Sequence, residues 1–354
     1  MLGFDQPWNV VSMNKGNLAH AAKLCLGLGV LIVLAGCSQS PVQDPFWFLH
    51  PNGPIARASI FYLVVDVLLL SVVIVPATAL VIWTFWRYRR GGSGKYDPTY
   101  NHSIPIEVIV WGVPLLVVVV LSYYSYHGAR DVAPYNPEVL ESVDDNGQAP
   151  LHIQVIATDW QWLFIYPDQH IAMSNRLVVP TNRKIALDLT SVSVTNDFYV
   201  LKVVNQIYMM PGMRTKQHFL VERPGTYQGF STEFSGPGFS WMNYKMLSVP
   251  PDVFDQWVQR ARLSGNRMEW KQFQQFAEPT INTGNQWSLY SDIDNDLFTH
   301  VIHAVNDGTL NYTWPARFSE DMTSAEFERE FGTGDAEANP DGTTADAPQN
   351  IPDR

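Results

Sequence analysis

Two uninterrupted apolar runs near the N-terminus, at about 59–86 and 106–125, constrain this chain more than any other feature. Each is long enough for the ~20 apolar residues that a membrane-crossing helix needs. Within hydrocarbon only a helix or a closed barrel satisfies every backbone polar group, so each run is expected to be one helix. Between them lies RYRRGGSGKYDPTYNHS, in which Arg87, Arg89, Arg90 and Lys95 mark the cytoplasmic side. The runs therefore form a transmembrane hairpin, region 58–127, with both outer ends on the opposite side. Pro76 and Pro114 fall inside the spans and are expected to kink them, which a bundle tolerates when neighbours satisfy the freed groups.

Upstream, Lys15 and Lys23 precede LCLGLGVLIVLAGC, an apolar run too short to span comfortably. It ends in Leu34-Ala35-Gly36-Cys37, which resembles the lipobox of bacterial lipoproteins. The resemblance implies a signal peptide at 1–36, a diacylglycerol thioether on Cys37 and a mature chain anchored in the bacterial inner membrane. The competing reading is an ordinary signal anchor. The chain has two cysteines, and Cys25 would leave with the signal. No disulfide framework or cysteine-built metal site is then available downstream.

Residues 37–57 read as an outer N-terminal segment and 128–150, rich in Pro, Asp and Asn, as a linker. Strand signals then begin: LHIQVIATDWQWLFIYP, RKIALDLTSV, FYVLKVV, KQHFLVE and TYQGFSTEF, separated by turn residues. Short strands at that spacing predict an all-β sandwich or barrel over 151–250. From 251 to 312 an aromatic-rich extension carries three helical stretches. These are Asp252 to Leu263, a segment around Trp270, Phe273 and Phe276, and DIDNDLFTHVIHAV. They are expected to dock on the sheet or on a partner, since their polar faces are not lysine-rich as a lipid-surface helix would be. Residues 313–354 are acidic and poor in apolar side chains, the composition of a disordered tail. With 34 acidic against 23 basic residues, a net charge of −11 argues against nucleic acid as a partner.

The most informative stretch is GTYQGFSTEFSGPGFSWMNYKM, Gly225 to Met246. It resembles the copper-binding segment of subunit II of the haem-copper terminal oxidases, whose pattern is Cys-x-Glu-x-Cys-Gly-x-x-His-Ser-x-Met. In the same register this chain has Ser231, Glu233, Ser235, Gly236, Phe239, Ser240 and Met242. The remaining family histidine falls on Asn196. Glu233, Gly236, Ser240 and Met242 match, while both thiolates and both imidazoles that a dinuclear copper site requires are replaced. The resemblance implies a quinol oxidase subunit II, an α+β membrane protein. Its architecture would be a two-helix hairpin, a cupredoxin-like β-sandwich without copper and a helical C-terminal extension. It further implies a proton-pumping ubiquinol oxidase in which this chain carries no cofactor. The haems and copper would reside in the large subunit I, with subunit III and a small subunit IV as further partners.

Other residues are weighed against plainer roles. Asp66 lies in the first span, where a carboxylate is by default functional, but near the outer end a hydrated or partner-paired acid is the plainer reading. Glu107, in IEVIVWGVP, matches a family Glu-x-x-x-Trp-x-x-Pro pattern near the mouth of a proton path, and alone would pass for an interfacial acid. Trp160 and Trp162 match aromatics that flank the copper in the copper-carrying relatives; without a metal they read as packing residues, with the large subunit as a candidate neighbour. Tyr208, Met210, Gly212 and Met213 resemble a loop retained in the quinol branch rather than soft-metal ligands. His152, His170 and His218 are isolated and read as surface or strand residues. The alternative function, from another class, is a lipid-anchored periplasmic scaffold or binding protein outside respiration.

Overall fold

The computed structural model describes residues 50–94, 99, 102–135, 147–280 and 286–310 of the 354. The signal peptide, Cys25, Cys37, the middle of the linker and the 313–354 tail lie outside these residues.

Helix α1 spans Pro54–Arg87 and α2 spans Ile104–Asp131, each opening with a proline in its first turn, where the missing N–H costs nothing. Both continue through their internal prolines, Pro76 and Pro114. They run beyond the expected bounds because flanking residues outside the bilayer still suit helix. Asp66 sits twelve residues into α1, more than three turns from its start. Their apolar surface is almost wholly uncovered by the rest of the chain: only Ile55 on α1 and Val117 and Gly128 on α2 are buried. Such a surface is compatible with lipid or a partner, not with water. The helices touch each other closely at Gly128, where a Cβ would stand 3.1 Å from the Tyr62 ring.

Ten strands build the soluble domain. They are β1 Leu151–Ala157, β2 Trp162–Tyr166, β3 Ile171–Ser174, β4 Arg176–Pro180 and β5 Lys184–Ser191, then β6 Asn196–Val200, β7 Val204–Met209, β8 Thr215–Leu220, β9 Gly225–Phe230 and β10 Asn243–Val249. One sheet has the order β3-β2-β1-β5-β8 and the other β4-β10-β9-β6-β7. The two pack face to face as a cupredoxin-like sandwich. Most neighbours are antiparallel, but β1 with β5 and β4 with β10 are parallel, so the fold depends on long crossovers.

Alternation along β2 explains why its sequence is apolar without a break. Trp162, Phe164 and Tyr166 enter the core between the sheets, while Leu163 and Ile165 point to the outer face, which the C-terminal extension covers. A strand buried on both faces has no polar side to show. Inside, Trp162, Phe164, Phe198 and Tyr244 form an aromatic cluster, with Tyr244 4.8 Å from Trp162 and 5.1 Å from Phe164 by ring centroid. The Tyr166 hydroxyl donates to the Val178 carbonyl and accepts from the Val178 N–H, both at 2.8 Å. That buried phenol thereby ties β2 to β4 across the sandwich, and burial raises its pKa.

The extension supplies α3 Pro251–Ala261, β11 Arg267–Met268, α4 Trp270–Phe276, β12 Leu289–Tyr290, β13 Asp292–Ile293 and α5 Leu297–Asn306. Leu297, Phe298, Val301 and Ala304 on α5 join Ile156, Leu163, Ile165 and Ala172 in a second core on the outer face. β12 adds to the edge of the first sheet beside β3, so the sandwich does not close at residue 250. Two further details differ from the sequence reading. FYVLKVV is a hairpin turn rather than one strand, its residues 201–203 turning between β6 and β7. DIDNDLFTHVIHAV becomes helical only at Leu297, after the short β13.

The soluble domain is fixed to the hairpin by a buried strap. Asn52, 2% exposed, accepts at Oδ1 from the N–H groups of Glu222 and Arg223 at 3.2 and 3.0 Å. Its Nδ2 donates to the Arg223 carbonyl at 3.0 Å and to the Tyr227 hydroxyl. Gly53 follows at φ 138°, where a Cβ would meet the Leu220 carbonyl oxygen at 2.3 Å, so only glycine fits. Arg57 completes the strap with a two-pronged pair to Glu222, both contacts 2.6 Å.

Candidate functional site

The segment 231–242 connects β9 to β10 and lies against the first residues of β6. Four of the positions named in the sequence register are buried: Asn196 on β6 is 0% exposed, and within the segment Ser231 is 3%, Ser235 2% and Met242 1%. Two local pairs result. On one side, Asn196 Nδ2 donates to Ser191 Oγ at 3.2 Å, and Ser231 Oγ accepts the N–H of the adjoining Asp197 at 3.2 Å. On the other, Ser235 Oγ faces Met242 Sδ at 3.8 Å. Phe239 is half-buried on a single 3-10 turn and packs on the exposed Phe234, ring centroids 5.7 Å apart.

A carboxylate organises this loop. Asp197 is 0% exposed. Its Oδ1 accepts from Ser231 Oγ at 2.9 Å, from the Glu233 N–H at 3.1 Å and from the Thr232 N–H. Its Oδ2 accepts from Thr232 Oγ1 at 2.8 Å. Charge-assisted bonds of this kind are the strong ones, and four of them converge on three consecutive residues. Sequence reasoning passed over Asp197. Its signal was the Thr195-Asn196-Asp197 turn cluster, which reads as a loop until its partners are known.

Beneath the loop lie the tryptophans. Trp160 Nε1 donates to the Ser235 carbonyl at 3.0 Å, and its ring occupies the space above Gly238, where a Cβ would approach to 2.1 Å. Trp162 Nε1 reaches the Met242 carbonyl at 3.4 Å. At 1% and 0% exposure both pack inside this domain, in keeping with the reading of Trp160 and Trp162 as packing residues. Trp160 holds a left-handed φ of 74°, a constraint no sequence pattern displays.

The electrostatics are those of a buried polar pocket. Asp159 is 1% exposed, and burial pushes its pKa up to about 6 against the bond it receives from Ser193. Asp159 Oδ2 and Asn196 Oδ1 are both buried without a hydrogen-bond partner. On the outer rim the Glu233 carboxylate raises the Tyr208 phenol above its ordinary value. Tyr208, Met210, Met213 and Phe234 are all exposed there.

The residues present do not fit a dinuclear copper centre. The donors offered are two hydroxyls, an amide and a thioether, with a phenyl ring where an imidazole would be required, and Ser231 already has its hydroxyl committed to Asp197. Among the described residues no three His, Cys, Asp or Glu side chains converge. Glu107, exposed in the first turn of α2, and Asp66, half-buried well inside α1, are not brought together: one stands beside the basic loop and the other toward the opposite end. His170 is exposed and meets Asn295 at 3.1 Å, His152 is exposed on β1, and His218 is buried on β8.

Residues 167–249 match the family model described as the periplasmic domain of cytochrome c oxidase subunit II. The ubiquinol oxidase subunit 2 of Acetobacter aceti is 33% identical over 84% of this chain and 92% of its own length. The cytochrome bo(3) ubiquinol oxidase subunit 2 of Buchnera aphidicola subsp. Baizongia pistaciae is 38% identical over 72% of this chain and 87% of its own. That of Pseudomonas putida is 32% identical, over 78% and 83% respectively. Among solved structures, the periplasmic domain of cytochrome oxidase subunit II from Bradyrhizobium japonicum is 22% identical, with a TM-score of 0.31 over 34% of this chain and 94% of that one.

Proposed function

The chain belongs to the subunit II family of the terminal quinol oxidases, and within that complex we propose that it acts as a scaffold carrying no redox centre of its own. Quinol oxidation and the reduction of oxygen to water are assigned to haems and copper in a large partner subunit, with proton translocation there as well. Subunits III and IV, the inner membrane as its location, a lipid on Cys37 and a proton-uptake role for Glu107 belong to the same reading. Two bare apolar helices fixed to a folded outer domain suit a chain that a larger membrane protein covers. No observation favours the alternative of a scaffold outside respiration.

The observation that carries the proposal is the loop 231–242, folded in place by Asp197 and supplied with no thiolate or imidazole. The test is metal analysis of the full chain purified apart from its partners. The natural chain is expected to bind no stoichiometric copper. Asn196→His, Ser231→Cys, Ser235→Cys and Phe239→His introduced together should restore the donor set, take up two coppers and show the visible absorption of a thiolate-bridged pair. Placing a polar ring at Phe239 costs about 1–3 kcal/mol before metal binds, so folding is checked first. Stoichiometric copper in the natural chain would sink the proposal. A folded quadruple variant that stays metal-free would show that the loop does not keep the copper register.

A further inference from the structure

A cleft of about 590 Å³ opens where the hairpin meets the soluble domain. Its walls are the first turns of α1, the last turn of α2 and the facing ends of β5 and β8. Ile55, Ala58 and Phe219 make an apolar floor, and Arg130, Lys184, His127 and His218 surround it. Asp131 is the one carboxylate in the lining, and it already accepts the Tyr62 hydroxyl. We infer that this cleft holds the phosphate headgroup and glycerol backbone of an anionic phospholipid from the leaflet on the side of the soluble domain.

Three independent features point there. The first is height. The lining residues sit at the start of α1 and the end of α2, the ends beside the soluble domain, which brings the cleft to headgroup level when the two apolar helices cross a bilayer. The second is charge. The whole chain carries −11, yet here two full cations and two imidazoles gather around one committed carboxylate. Burial, with the Lys184 cation as a lesser contributor, holds His218 below its ordinary pKa, while its Nδ1 faces the Pro134 carbonyl at 3.3 Å. The third is shape: an apolar floor beneath a cationic rim fits an amphiphile better than it fits free phosphate, and the volume lies within the range of small-ligand sites.

The test uses the full chain, purified in detergent and stripped of lipid. It is titrated in mixed micelles with phosphatidylglycerol, with phosphatidylcholine and, separately, with inorganic phosphate, and occupancy is read by native mass spectrometry. One phosphatidylglycerol per chain is expected, preferred over phosphatidylcholine by about tenfold or more. Arg130→Gln with Lys184→Gln should weaken it by roughly fivefold per lost cation, the attraction a basic residue at a membrane surface contributes. Ala58→Trp, which fills the floor and leaves every charge in place, should exclude the lipid and keeps the test decisive if the double variant does not fold. Equal binding of the two lipids would overturn the inference. So would unchanged lipid binding in either folded variant, or phosphate alone displacing the lipid.

Discussion

Asp197 does by hydrogen bonding what a metal does by coordination: it fixes the Ser231 side chain and the backbone of Thr232 and Glu233 from a single buried point. Removing it takes their shared acceptor from two N–H groups and two hydroxyls, so Asp197→Ala should destabilise the domain by roughly 2–5 kcal/mol in thermal melts. Asp197→Asn keeps one acceptor oxygen and should cost about half as much. Equal, small losses would mean the loop is held by something else. Asp159 acts in the opposite sense. Its carboxyl is neutral more readily in the fold than in the unfolded chain, since burial raises its pKa to about 6 from an ordinary value near 4. The stability it contributes is therefore complete below about pH 4 and is lost as pH rises through 6. Asp159→Asn should raise stability by about 1–2 kcal/mol at pH 7 and flatten the profile between pH 4 and 6. An unchanged profile across that window would place the titration elsewhere.

Among the elements, those with a strong period were legible and those defined by a distant partner were not. The apolar stripe of Val253, Phe254, Trp257, Val258 and Ala261 announces α3, and all but the half-buried Val253 are buried. β3 and β4 are four and five residues long and are covered by the core between the sheets and by the C-terminal extension, so their sequences carry no alternation to read. At the candidate site the ligand register was legible because it is a spacing. Asp197 and the Asn52 strap were not, because their meaning lies in partners 34 to 175 residues away. The strap is also where a single small change should matter most. Gly53→Ala adds a methyl at φ 138° against the Leu220 carbonyl and should cost about 1–3 kcal/mol. Limited proteolysis of the full chain should then cut near residue 50 faster than in the natural protein. An unaltered cutting rate would show that the joint tolerates movement.

For the whole molecule, two helices of 34 and 28 residues hold the chain in the bilayer whatever happens upstream. Cys37→Ser should abolish incorporation of labelled fatty acid and leave the protein in the membrane fraction. A lipid anchor adds about 0.8 kcal/mol per buried methylene, a gain that two spans make redundant for attachment. Recovery of the variant in a soluble fraction would mean that the spans do not cross. The strap, finally, sets an order in time. Asn52 is among the first described residues to be made, and its partners Arg223 and Tyr227 come 171 and 175 residues later. At ribosomal rates that is a wait of roughly ten to thirty seconds. During that wait the hairpin can already be in the membrane while the domain it will carry is still being delivered, so the joint between them cannot close until residue 227 has been made.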